Sequence, residues 1–167
     1  MKIVVAPLHE VQAAIRDWRP SHLISLGSPG STLPDIQGIE HLSLTFHDIV
    51  APRAGLRPVT ADQVATLLDF ARGWSGQAPL LIHCWAGVSR SPAAAYVIAC
   101  RVAGPGAAVE LARRLRVRAP FATPNIRLVA LADEQLGAKG AMRRAIRDIG
   151  RGAETSMGAT FALDTIS

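Results

Sequence analysis

Cys84 and Arg90 stand with five residues between them in the stretch His83-Cys84-Trp85-Ala86-Gly87-Val88-Ser89-Arg90-Ser91. A thiolate is a strong nucleophile, and the planar fork of a guanidinium grips two oxygens of a phosphate. The apolar run Ala78-Pro79-Leu80-Leu81-Ile82 before the stretch reads as a buried strand. Pro92-Ala93-Ala94-Ala95-Tyr96-Val97-Ile98-Ala99 after it reads as a buried helix with its proline in the first turn. A tight loop between strand and helix gathers backbone N–H groups that lack intrahelical partners, where the helix dipole also favours negative charge. Gly87 lets such a loop curl without a Cβ penalty. A free cysteine is only a few per cent thiolate at neutral pH. Amides, arginine and helix terminus together would hold it ionised. The loop then carries both a phosphate and the nucleophile that attacks it.

Read as HCWAGVSRS, this stretch closely resembles the active-site loop of the cysteine-dependent protein tyrosine phosphatases. Its Ala-Gly-x-Ser-Arg-Ser portion is most similar to the dual-specificity branch. An ordinary buried cysteine beside a strand would not need His83, Gly87 and Ser91 in register with it. The resemblance implies that Cys84 forms a phosphocysteine intermediate and that Arg90 holds the phosphoryl oxygens. It implies that Ser91 donates to the Cys84 sulfur and that His83 braces the loop. Trp85, Ala86, Gly87, Val88 and Ser89 would line the phosphate site with Arg90. The family also uses an aspartate, on a loop after a strand a few dozen residues before the cysteine, to protonate the leaving oxygen. Asp48 lies thirty-six residues before Cys84 at such a strand end, with Asp35 and Asp62 as competitors. Asp62 falls in the first turn of a helix and Asp35 in a turn-prone stretch after Pro34. The Pro-Asn pair at 124–125, before an apolar helix, also resembles a dual-specificity feature. Asn125 is therefore either a contact to substrate or water, or simply a helix cap.

These residues need elements to hold them. Residues 2–6 read as a strand, and Pro7 to Arg16 as a helix with Leu8, Val11, Ile15 and Trp18 on one stripe. His22 to Leu26 is a second strand, closed by Gly27-Ser28-Pro29-Gly30, a loop that could cradle phosphate but lacks the lysine and spacing of a nucleotide P-loop and reads better as a plain turn. Residues 39–46 form a third strand running out into His47-Asp48-Ile49. Thr60-Ala61-Asp62-Gln63 opens a helix as a capping box, with Val64, Leu67, Leu68 and Ala71 on its core face. Gly104-Pro105-Gly106 ends the helix after the loop. Helices follow over 107–118, from Thr123-Pro124-Asn125 onward, and over 141–151. The expected architecture is α/β, a mainly parallel, mixed sheet flanked by helices, with the site at strand ends.

The chain has 167 residues, 49% of them hydrophobic, with a mean hydropathy of +0.23. One catalytic domain over 1–151 and a C-terminal tail over 152–167 are expected, with Met157, Phe161, Leu163 and Ile166 available to pack back. No apolar run reaches the roughly 18 residues that span a bilayer. The short apolar N-terminus reads as a strand rather than a signal peptide. Two cysteines do not make a disulfide framework, and a reducing, cytoplasmic setting suits a catalytic thiolate. Cys100 reads as a packing residue. No zinc pattern occurs, so neither metal nor cofactor is expected.

A net charge of +5 favours anionic substrates. The resemblance implies a phosphoprotein rather than a phosphoinositide substrate, since the loop lacks the lysines that family loops for phosphoinositides often add. It also implies a shallow pocket walled by Trp85, since the one tyrosine, Tyr96, falls in the helix and not in a pocket loop. The rivals are an RNA 5′-phosphatase, which the arginines of 113–118 and 143–151 would suit, a non-catalytic phosphate-binding module and a rhodanese-like sulfurtransferase. Nucleic acid is the weaker partner, since aromatics at 5% offer little to stack on.

Overall fold

A computed structural model describes residues 1–165. The elements in chain order are β1 (Lys2–Pro7), α1 (Val11–Trp18), β2 (His22–Gly27), β3 (Glu40–Thr45), α2 (Ala61–Arg72), β4 (Leu80–Cys84) and α3 (Arg90–Ala103). They continue through α4 (Ala108–Arg118), α5 (Ile126–Gln135), α6 (Ala141–Asp148) and β5 (Phe161–Asp164). One sheet carries all five strands in the order β3-β2-β4-β1-β5. The first four run parallel and β5 is antiparallel to β1. The expected α/β architecture with a mixed sheet is what the chain adopts.

β4 is buried at every position, and β1 and β2 at all but their first residue, as strands covered on both faces must be. Side chains alternate between the faces. Ile3, Val5, Ile24, Leu26, Leu80, Ile82 and Cys84 face the larger core under α2–α6. Val4, Ala6, Leu23 and Leu81 face a smaller core closed by α1. α3 runs through the larger layer with every side chain from Arg90 to Cys100 buried. Its Tyr96 hydroxyl lies 3.1 Å from the Ala108 carbonyl and 3.3 Å from that of Met142, tying α3 to α4 and α6.

The last helix stops at Asp148, short of the expected 151, and the boundaries differ more in two other places. β1 continues to Pro7, and Leu8–Glu10 form one 3₁₀ turn before α1, because Pro7 sits extended at φ −71, ψ 158. The run Phe161-Ala162-Leu163-Asp164, expected in a tail, is the edge strand β5 of the same sheet. Four alternating residues are too short a signal to read as a strand from sequence alone. Phe161 and Leu163 reach the larger core, while Ile166 lies outside the described residues. β5 is further held by an ion pair, Lys2 Nζ to Asp164 at 2.6 Å, and by Thr165 N–H donating to the Met1 carbonyl.

Leu163 is fully buried. Leu163→Ala is therefore expected to lower the unfolding free energy by about 2–4 kcal/mol, the cost of a core leucine. Urea denaturation measures it, and a silent substitution would mean that β5 does not belong to the folded unit.

Candidate active site

β4 ends at Cys84 and α3 begins at Arg90, so the intervening loop sits on the helix N-terminus at the C-terminal edge of the parallel strands. Its carbonyls are tied down by amides from four parts of the chain. Trp85 O accepts from Leu8 N (3.1 Å), Ala86 O from Gly158 N (2.8 Å) and Val88 O from Thr123 N (2.8 Å). Ser89 O accepts from both Asn125 N (3.2 Å) and Ala93 N (3.1 Å). A trans peptide is planar with its N–H opposed to its C=O. The amides of Ala86, Gly87, Ser89 and Arg90 are thereby turned into the curl. Gly87 N–H is seen there, donating to Cys84 Sγ at 3.3 Å. Gly87 has φ +69, and a Cβ on it would stand 2.9 Å from the Pro7 nitrogen. Only glycine lets the loop lie this close to the end of β1.

Cys84 is 3% exposed, and its sulfur lies 3.0 Å from Ser91 Oγ. Arg90 is 5% exposed. Its Nη1 donates to the Phe46 carbonyl (3.0 Å) and to Ser28 Oγ (3.1 Å), and its guanidinium carbon lies 5.9 Å from the centre of the Phe46 ring. No carboxylate among the described residues pairs with Arg90, and its Nε has no acceptor there. A buried cation held by neutral groups keeps its charge for an incoming anion.

His83 points to the opposite face of the sheet from Cys84. Its Nε2 shares a hydrogen bond with Ser25 Oγ (2.6 Å), which in turn meets His41 Nε2 at 2.8 Å. Burial first, and then the nearby His41 and Arg90, push its pKa down to about 4. The imidazole under the loop is therefore neutral at pH 7, a polar brace without charge.

Asp48 is exposed, at the end of the segment after β3. Its Oδ1 accepts from Ser89 Oγ (2.8 Å) and from Asn125 Nδ2 (2.8 Å). Oδ2 has no hydrogen-bond partner among the described residues. Asn125 both caps α5, accepting from Leu128 N–H (3.1 Å), and reaches Asp48. Asp35 meets Gln37 at an exposed turn, and Asp62 lies in the first turn of α2. Of the three carboxylates weighed, only Asp48 touches the loop. His47 Nδ1 accepts the Arg57 amide (2.8 Å), which folds the segment after Asp48 back on itself.

A cavity of about 540 Å³ opens over Cys84 and Arg90, with Leu8, Leu26, Leu33 and Trp85 among its walls. Arg90 is the one arginine or lysine lining it. Trp85 is 65% exposed at its edge. Asp48 borders another cleft, of about 410 Å³, with Ser89 and Asn125. Sequence reasoning missed Ser28, Ser25, His41 and Gly158. Ser28 had one usable signal: it follows a strand beside β4, at the edge where α/β sheets place their ligands. The turn that holds it reads as plain in sequence and instead holds the arginine.

No protein-family model matches the sequence, and no curated protein does. Solved structures do share its fold. The crystal structure of DUSP15 superposes with a TM-score of 0.59 at 19% identity, over 92% of this chain and 94% of that one. A mouse dual specificity phosphatase complexed with zinc tungstate gives 0.57 at 17% identity, over 86% of both chains. PTPMT1 in complex with PI(5)P gives 0.56 at 19% identity, over 84% of this chain and 91% of that one. The chain has the fold of the dual-specificity phosphatases, and its Cys84 loop occupies the strand-to-helix turn described above.

The His83 brace makes a pH prediction. Its pKa falls from 6.5 to about 4 on folding, so between those values the unfolded chain binds more protons. Stability is then fully present above pH 6.5 and erodes as pH falls towards about 4, by at most about 3 kcal/mol from this group. The urea midpoint of the wild type should drop between pH 7 and pH 5. In His83→Gln that part of the drop should be missing; an equal drop in both proteins would refute the assignment.

Proposed function

We propose that the protein is a cysteine-dependent phosphatase of the protein tyrosine and dual-specificity type, hydrolysing phosphomonoesters through a phosphocysteine intermediate. What carries the reading is one arrangement: the Cys84 sulfur at the base of a curl of inward-turned amides, beside a buried arginine that no carboxylate neutralises. A sulfur anion and a phosphoryl dianion suit the same donors at different stages of one reaction.

In the first step Cys84 attacks phosphorus in line with the leaving oxygen. Arg90 and the loop amides meet the charge spread over the equatorial oxygens. Asp48 gives its proton to the leaving oxygen, and Oδ2 is the oxygen free to do so while Ser89 and Asn125 hold Oδ1. In the second step the Asp48 carboxylate takes a proton from water, which attacks phosphorus. The sulfur departs as an anion accepting the Ser91 hydroxyl proton in a hydrogen bond. All the charge compensation comes from groups of the chain itself, and the chemistry calls for neither metal nor cofactor.

The cavity supports a phosphoprotein substrate. Its walls carry Leu8, Leu26, Leu33 and Trp85 beside the hydroxyls of Ser28, Ser31 and Thr32, and its single fixed cation suits one phosphate on an apolar or aromatic body. With Arg90 the one lysine or arginine in its lining, the cavity offers a second phosphate no fixed positive charge.

Cys84→Ser is expected to abolish turnover of p-nitrophenyl phosphate while retaining vanadate binding. Asp48→Asn is expected to slow an alkyl phosphate by about 100-fold or more, the usual contribution of a general acid. An aryl phosphate with a good leaving group should suffer less. Steady-state kinetics on the two substrates reads the split, and an Asp48→Asn enzyme unimpaired on the alkyl phosphate would remove Asp48 from the mechanism.

A further inference from the structure

Three of the four outer clamps on the active-site loop come from Leu8, Thr123 and Asn125, beside β1 and α5. The fourth comes from the end of the chain. Residues 150–160 cross the loop as a strap between α6 and β5. Arg116 Nη2 donates to the Gly150 carbonyl (2.7 Å), Gly152 N–H to Thr123 Oγ1 (3.1 Å) and Ala153 N–H to the Pro120 carbonyl (2.9 Å). Thr160 then donates both its amide (2.9 Å) and its hydroxyl to the Glu10 carboxylate. These bonds hold the Glu10 carboxyl below its ordinary value, led by the Thr160 hydroxyl. Between the anchors, Gly158 N–H meets the Ala86 carbonyl at 2.8 Å.

That bond falls on a particular peptide unit. The carbonyl of Ala86 and the amide of Gly87 belong to the same plane, and the Gly87 amide is the one that donates to Cys84 Sγ. A bond from outside on one end of the plane sets the direction of the dipole at the other. Position 158 is also crowded: a Cβ there would stand 2.5 Å from the Phe121 ring and 3.1 Å from the Gly87 carbonyl oxygen, so the ring must shift in any variant that adds one.

We infer that Gly158 is a positioning residue for the reaction: its amide, delivered by the strap, holds the Ala86–Gly87 peptide with its N–H on the Cys84 sulfur and so keeps that sulfur ionised. The inference rests on Cys84 being the nucleophile, yet it is read on the sulfur itself rather than on turnover. Losing the Gly158 amide lets the peptide rock, and the sulfur anion loses a donor that the neutral thiol does not need. The defect is therefore largest at low pH and vanishes once the pH alone ionises the thiol.

The test is the rate of alkylation by iodoacetamide at pH 6 and at pH 9. Cys100 does not interfere, because burial pushes its thiol up to about 12. Gly158→Pro removes the amide and adds a Cβ; Gly158→Ala adds the Cβ alone and is the matched control. Relative to Gly158→Ala, the proline variant should react about three- to tenfold more slowly at pH 6 and equally fast at pH 9, with kcat/KM for an aryl phosphate following the same pattern. Thermal unfolding checks that the variants fold. If the proline variant does not, Glu10→Ala, which frees the strap at Thr160, should slow alkylation at pH 6 relative to wild type in the same pH-dependent way. Equal rates at pH 6, or a deficit that persists at pH 9, overturn the inference while leaving the phosphatase reading intact. A wild-type sulfur that is sluggish at pH 6 yet fast at pH 9 overturns both.

Discussion

The structure turns on the direction of a few peptide planes. Between Cys84 and Arg90 the backbone gives its carbonyls to Leu8, Gly158, Thr123, Asn125 and Ala93 and keeps its amides for the interior. Amides left unpaired in a buried curl are costly unless something negative sits among them. Local sequence cannot enforce that arrangement, since a flexible loop would turn its amides outward to water. The β1–α1 junction, the α4–α5 loop and the C-terminal strap enforce it from outside. Much of the fold can be read as scaffolding that delivers those donors to one place.

The sheet divides the labour. Alternation along β4 sends Cys84 into the helical layer and His83 to the α1 face, where Ser25 on the neighbouring strand and His41 one strand further out complete a polar file. The nucleophile thus shares its side with α3, whose N-terminus faces the anion. The histidine lies beneath the loop and, being neutral, adds no second positive charge beside Arg90.

Arg90 and Asp48 show how a charged group is kept available. Arg90 is steadied by a carbonyl, a hydroxyl and an aromatic face, none of which cancels its charge. Asp48 is steadied through one oxygen by Ser89 and Asn125, which leaves the other without a partner among the described residues. The apolar part of the cavity wall sharpens the field of Arg90, because charges interact more strongly where water is scarce.

What sequence alone determined follows from short-range rules. The strand before Cys84, the helix after Arg90, the Thr60–Gln63 capping box and the mixed α/β layering were legible because hydrophobic period and cap chemistry act within a few residues. The contact of Ser91 with Cys84 was legible because the two are near neighbours in the chain, as are His83 and Arg90, proposed with them as the site. Asp48 was legible as one of three carboxylates, from its place at a strand end. Tertiary structure decided what depends on contacts between distant segments: Ser28 on Arg90, Ser25 and His41 beneath His83, Asn125 on Asp48, and the strap on Ala86 across seventy-odd residues of chain. Hydrogen bonds of that kind carry no sequence periodicity. They exist only because the sheet order β3-β2-β4-β1-β5 brings those strand ends together.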